Sequence, residues 1–173
     1  MLMHSFNPSS DFILAQPTRM SIDMAIQAET ARRYIEAFHA LDGAEFTKLK
    51  TPECEHVFAP KSLNMTVSKN NARFEAHMEH LRTILKAFPV YVKKLWEDKT
   101  HVTIWATSET VFQEEAKDEG APQSSCSFGG EYMFVLEMNE DGDKIKRVVE
   151  FLDSNATEDI DEASTTKSWE QKI

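Results

Sequence analysis

The stretches FEAHMEHLRTILKAFP (residues 74–89) and VYVKKLWEDKTHVTIWATSETVF (residues 90–112) meet at a change of period. In the first, Phe74, Met78, Leu81, Leu85 and Phe88 step by four, three, four and three. That spacing lays one apolar stripe along a helix, capped at its start by Ser68 or Asn70 and ended by Pro89. In the second, apolar and polar residues alternate and β-branched and aromatic residues abound. Strands are therefore expected from Val90 to Glu97 and from Thr100 to Phe112. Moving toward the C-terminus, Ser127 to Met138 and Lys144 to Ser154 repeat that pattern. Asp98-Lys99 and the segment 139–143 are short polar connections, so neighbouring strands should be antiparallel.

Moving toward the N-terminus, Tyr34, Ala37, Phe38 and Leu41 share one face of a helix expected from Ile22 to Leu41. Asp42-Gly43 stops it, and a short second helix is expected from Ala44 to Leu49. A brief strand from Glu53 to Ala59 follows, with Cys54, His56 and Phe58 on one face. Helices grouped before a meander cannot build a parallel βαβ sheet. The expected class is α+β, with the N-terminal helices packed in the concave face of a strongly curved antiparallel sheet. Residues 1–20 read as a disordered extension, 21–156 as the folded domain and 157–173 as an acidic, loosely ordered tail.

The 173 residues carry a formal net charge of -10, which argues against nucleic acid and against an anionic membrane surface. No run approaches the roughly 20 apolar residues of a membrane-spanning helix, and no basic region precedes an apolar one near Met1. A cytoplasmic protein is expected. Cys54 and Cys126 read as ordinary reduced thiols.

Four residues carry candidate chemistry. Glu150 lies in the apolar run Val148-Val149-Glu150-Phe151-Leu152, on the face of Val148 and Leu152. Burial there would raise its pKa toward a value useful for acid or base work. Tyr132 shares a face with Phe134, Leu136 and Met138, where its hydroxyl could polarise a substrate oxygen. His56 faces the same side as Cys54 and Phe58, and His77 sits on the apolar stripe between Phe74 and Leu81. A buried tyrosine satisfied by the backbone, a core histidine and a carboxylate on the outer face are the plainer alternatives. His77-x-x-His80 lacks the further ligands of a zinc site, so no metal is expected. Trp105 shares a face with Thr103, Thr107 and Glu109. Alternation leaves open whether that face is concave or packs across a dimer.

The stretches Thr51 to Pro60, Phe74 to His77, Val102 to Ser108, Gly130 to Phe134 and Val148 to Ser154 resemble the nuclear-transport-factor-2-like superfamily. Its SnoaL-like, ketosteroid-isomerase-like members fold as cones, and the likeness is greatest to small fungal secondary-metabolism isomerases. The resemblance implies a carboxylate on the last strand at Glu150, a tyrosine on the preceding strand at Tyr132 and a basic pocket residue near His56. A second aromatic hydroxyl of those proteins is replaced by Phe128. Apolar lining is expected from Phe58, Trp105, Phe128, Phe134 and Leu152. The implied activity is a cofactor-independent isomerase, cyclase or dehydratase acting on a hydrophobic, oxygenated small molecule. The implied assembly is a homodimer through the outer sheet face. A non-catalytic ligand-binding or protein-interaction module is the alternative on the same fold.

Overall fold

The computed structural model describes residues 19–63, 68–113 and 127–152. The expected N-terminal extension up to residue 18, the loop 114–126 and the acidic tail lie outside the described residues. The elements are α1 (Arg19–Ala40), α2 (Gly43–Lys48), β1 (Lys50–Ala59), a 3-10 turn (Lys61–Leu63), α3 (Asn71–Ile84), β2 (Leu85–Ala87), β3 (Val90–Glu97), β4 (His101–Phe112), β5 (Ser127–Met138) and β6 (Ile145–Leu152).

Local chemistry sets the breaks between helices. Leu41 takes a left-handed φ of 51°, and the Asp42 carboxylate then accepts the Ala44 and Glu45 N–H groups that open α2. Gly43 sits against α3, where an added Cβ would come within 2.7 Å of Glu75 Cγ. Asn70 caps α3 by accepting the Arg73 N–H. The expected helix through Phe88 stops earlier, at Ile84. Leu85 and Ala87 instead form β2, which pairs with Phe112 and Val111 at the edge of β4. Leu85 and Phe88 stay buried, so extended backbone meets the same apolar demand that the helical stripe suggested. Tertiary pairing overrode the local period.

The sheet runs β1-β6-β5-β4-β2, with β3 also on β4. Four of its five pairings are antiparallel, as expected, but β1 joins β6 in parallel. The sheet is thus mixed and strongly curved, which corrects the wholly antiparallel expectation. A chain that passes through α3 and four strands before reaching β6 has the length a parallel return needs. Along β4, the residues Val102, Ile104, Ala106, Ser108, Thr110 and Phe112 are all buried while their alternates reach solvent. The concave side receives Tyr34, Phe38 and Leu41 of α1, Phe46 of α2 and Phe74 and Met78 of α3. Ile104, Phe134, Leu136, Ile145 and Val148 complete that core from the sheet. Cys54 is a buried free thiol. Among the described residues no helix is long and apolar enough to cross a membrane.

Candidate functional site

The parallel pairing of β1 with β6 creates the site. His56 lies opposite Val148 and Phe58 opposite Glu150, so His56 and Glu150 are diagonal neighbours on the concave face. His56 Nε2 is 2.7 Å from Glu150 Oε2, and the Tyr34 hydroxyl is 3.3 Å from His56 Nδ1. His56 is 0% exposed and Glu150 3%. The imidazole stacks on Phe74 at 4.3 Å between ring centres and lies 4.6 Å from Phe58. Behind it, the His56 backbone bonds in both directions to Lys69.

Burial sets the electrostatics. It pushes the Glu150 carboxyl up to about 8, with the Lys50 ammonium pulling the other way. It holds His56 well below the ordinary imidazole range, helped by the charges of Lys50, His77 and Lys69. The imidazole is therefore neutral and carries one proton. When Glu150 is protonated its O–H donates to Nε2, and Nδ1–H donates to the Tyr34 oxygen. When Glu150 is ionised, the Tyr34 O–H donates to Nδ1 and Nε2–H donates to the carboxylate. Moving one proton at Glu150 thus moves another across the ring.

Tyr132 is on the same face one strand away. It pairs with Leu152 as Phe134 pairs with Glu150, which makes Tyr132 a diagonal neighbour of the carboxylate. Its ring stacks on Phe134 and meets Phe88 edge-on, and its hydroxyl accepts the Ser108 O–H at 3.2 Å. Gly130 gives that hydroxyl room, since an added Cβ would lie 2.5 Å from it.

The other expected site residues divide. Phe58 and Phe134 are buried in the wall. His77 is half-buried and meets Phe58 edge-on at 5.5 Å, with its pKa lowered to about 4 by burial and Lys69. His80 is exposed. The Phe128 side chain lies outside the described residues. Trp105 does not join the others. It is 38% exposed on the outer face and donates its indole N–H to the Glu131 carboxylate. With Glu131, Tyr132, Met133, Phe151 and Leu152, the last of which also packs against the buried core, it lines a surface hollow of about 430 Å³. Alternation gave its period but not its side. Among the described residues no cluster of three or more His, Cys, Asp or Glu could hold a metal.

No family model matches the chain. A protein named "Austinoid biosynthesis cluster protein J" from Aspergillus calidoustus is 25% identical over 138 residues, 76% of this chain and 75% of its own length. The BvnE pinacolase of Penicillium brevicompactum superposes with a TM-score of 0.70 at 21% identity, covering 83% of this chain and 97% of that one. A Catenulispora acidiphila protein described as having a ketosteroid-isomerase-like fold superposes at 0.55, with 15% identity over 70% of this chain and 83% of its own. The chain has the ketosteroid-isomerase-like fold.

Within this cone, sequence reasoning missed two polar residues, Tyr34 and Lys50. Tyr34 counted only as part of an apolar stripe, although a wholly buried phenol needs an internal partner and here finds His56. Lys50 shares the parity of Cys54, His56 and Phe58. Yet Pro52 on that parity is exposed and the register slips between Lys50 and Glu55, so alternation does not carry back to Lys50, which is nonetheless buried.

Proposed function

We propose that this protein is a cytoplasmic, cofactor-independent acid–base enzyme of secondary-metabolite biosynthesis, an isomerase, cyclase or dehydratase for a hydrophobic, oxygenated small molecule. The observation that carries the reading is the buried 2.7 Å contact between His56 and Glu150. A carboxyl whose pKa stands at about 8 holds a proton at neutrality and can deliver it, then take one back. Glu150 would transfer the proton to or from substrate, and the His56–Tyr34 chain would settle the charge left behind. Tyr132, braced by Ser108, would polarise the reacting oxygen, and His77 would orient from beside Phe58. The rings of Phe58, Phe88 and Phe134 suit an apolar substrate and keep the surroundings dry, so each polar group acts strongly. The names of the two fungal relatives, one a biosynthesis cluster protein and one a pinacolase, support the metabolic setting.

We further propose a homodimer through the outer sheet face, where Tyr91, Trp96, Trp105 and Phe151 expose apolar surface.

The test is replacement of the chromosomal gene by a Glu150→Gln allele in the host, followed by chromatography and mass spectrometry of extracts. The expected outcome is loss of one metabolite and accumulation of its precursor, with the protein still present at its normal level. An unchanged profile would remove Glu150 from any reaction. The full enclosure of His56 and Glu150 and the exposed rings of the outer face favour the second reading, a non-catalytic protein-interaction module of the same fold. That reading expects equal product yield from both alleles.

A further inference from the structure

Lys50 is a buried cation with no ordinary structural excuse. It is 5% exposed at the start of β1, and its Nζ stands 3.5 Å from the centre of the Phe74 ring. Tyr34 and Phe46 close the box, with ring centres at 5.6 Å and 5.7 Å. Rings can hold an ammonium by their negative faces, but they do not replace its water or neutralise its charge. Among the side chains described, Lys50 is the one buried Lys or Arg and Glu150 the one buried Asp or Glu. No ion pair joins them directly, so their charges act through the core rather than by contact.

Two shared neighbours link the cations and anions of this core. Phe74 touches the Lys50 ammonium and also stacks on the His56 imidazole that bonds Glu150. Tyr34 borders the ammonium and bonds the far side of the same imidazole. An ammonium beside a dry carboxyl–imidazole pair favours removing a proton from either member. Without it, burial alone would lock Glu150 as a neutral acid.

We propose that Lys50 is a positioning residue of the His56–Glu150 pair, its caged ammonium keeping the ionised, proton-accepting form of Glu150 within reach. This rests on the acid–base reading of that pair. The other titratable groups facing it are Tyr34 from α1, Cys54 and His56 from β1, His77 from α3, Tyr132 from β5 and Lys69 just before α3. The direction agrees with the shifts. Lys50 lowers Glu150, and Glu150 with Cys54 raises Lys50, whose pKa burial has brought down to about 8.

The experiment needs no substrate. The Glu150 carboxyl carbon is followed by NMR from acid to alkaline pH in wild type, Lys50→Met and Lys50→Arg, with Glu150→Gln assigning the signal. Lys50→Met should raise the Glu150 midpoint by about one pH unit or more, and Lys50→Arg should return it to the wild-type value. An unmoved midpoint in folded Lys50→Met would reduce Lys50 to packing and overturn the proposal. If Lys50→Met does not fold, the same coupling is read from the other side, because it is reciprocal. The Lys50 Cε signal should then titrate at lower pH in Glu150→Gln than in wild type, and equal midpoints would overturn it. An intact coupling beside an unchanged metabolite profile would sink the enzyme reading while leaving the electrostatic one standing.

Discussion

Glu150 and Phe151 are adjacent in β6, yet the first is 3% exposed and the second 47%. The carboxylate lies against aromatic rings in the concave interior, and the phenylalanine stands in the open on the convex side. A polarity scale alone would have placed each where the other is. On the inner face polar groups are held by one another, Tyr34 to His56, His56 to Glu150 and Ser108 to Tyr132, while Lys50 is held by aromatic rings. On the outer face, by contrast, apolar rings go uncovered and a charged side chain, Glu131, serves Trp105. Inversions of this kind mark use rather than stability, because a buried carboxyl costs free energy and an exposed apolar patch invites association.

The sharpest way to break the contrast is to remove the partner of the buried acid. His56→Ala should destabilise the fold by about 1–3 kcal/mol for the hydrogen bond alone, because the neutral Glu150 carboxyl is then left enclosed with no ring to bond, and the cavity left by the imidazole adds to that loss. Urea denaturation followed by circular dichroism at neutral pH measures this. A loss near zero would mean that water or a rearranged neighbour already satisfies the carboxyl.

Glu150 also imprints a pH dependence on the fold. Its folded pKa of about 8 exceeds the ordinary carboxyl value of 4.5. Its contribution is thus fully present below about pH 4.5 and is lost as pH rises through about 8. The wild type should lose stability relative to Glu150→Gln across that window, by about 1.4 kcal/mol per pH unit. His77 acts oppositely, since its pKa is lowered to about 4. Its contribution is present above about pH 6.5 and is lost as pH falls through about 4, equally in both proteins. Subtracting the two denaturation series removes His77 and leaves Glu150 together with the Lys50 titration it shifts, and a flat difference would mean that the carboxyl keeps an ordinary pKa.

Gly130→Ala tests how tightly the second polar pair is fitted. The new methyl would need to occupy space 2.5 Å from the Tyr132 hydroxyl. A cost of about 1–3 kcal/mol is expected, with the Tyr132 ring displaced from Ser108. Thermal denaturation and the Tyr132 ring shifts in NMR report the two effects separately.

Much of the inner face could be read from the chain. Period-two alternation put His56, Tyr132 and Glu150 on the faces they occupy, because a strand alternates faithfully wherever one side is buried. What alternation lacks is a sign and a partner. It could not say that the face of Trp105 points outward, nor that β1 lies beside β6. His56 and Glu150 are 94 residues apart, and that contact exists only through the parallel pairing. Lys50 was missed for a different reason. A lysine before a Thr-Pro pair reads as solvated, and only three rings from three separate helices make its burial bearable. Leu85 and Phe88 show the reverse case, where the residues were rightly placed in the core and only the backbone carrying them differed.

The outer face should show the smallest effect on the fold and a clear one on assembly. Trp96 and Phe151 are both exposed, so replacing each with Asp removes little packing and should change the stability of the folded unit by no more than about 0.5 kcal/mol each. Charges placed on that surface would instead repel a second copy of the same face, as a self-complementary interface sets each patch against itself. Sedimentation velocity should therefore find the wild type as a dimer and the Trp96→Asp, Phe151→Asp double variant as a monomer with unchanged circular dichroism. A wild type that sediments as a monomer at micromolar concentration would reject the proposed dimer. The exposed rings would then need a different occupant, and the inversion between Glu150 and Phe151 would have two separate explanations.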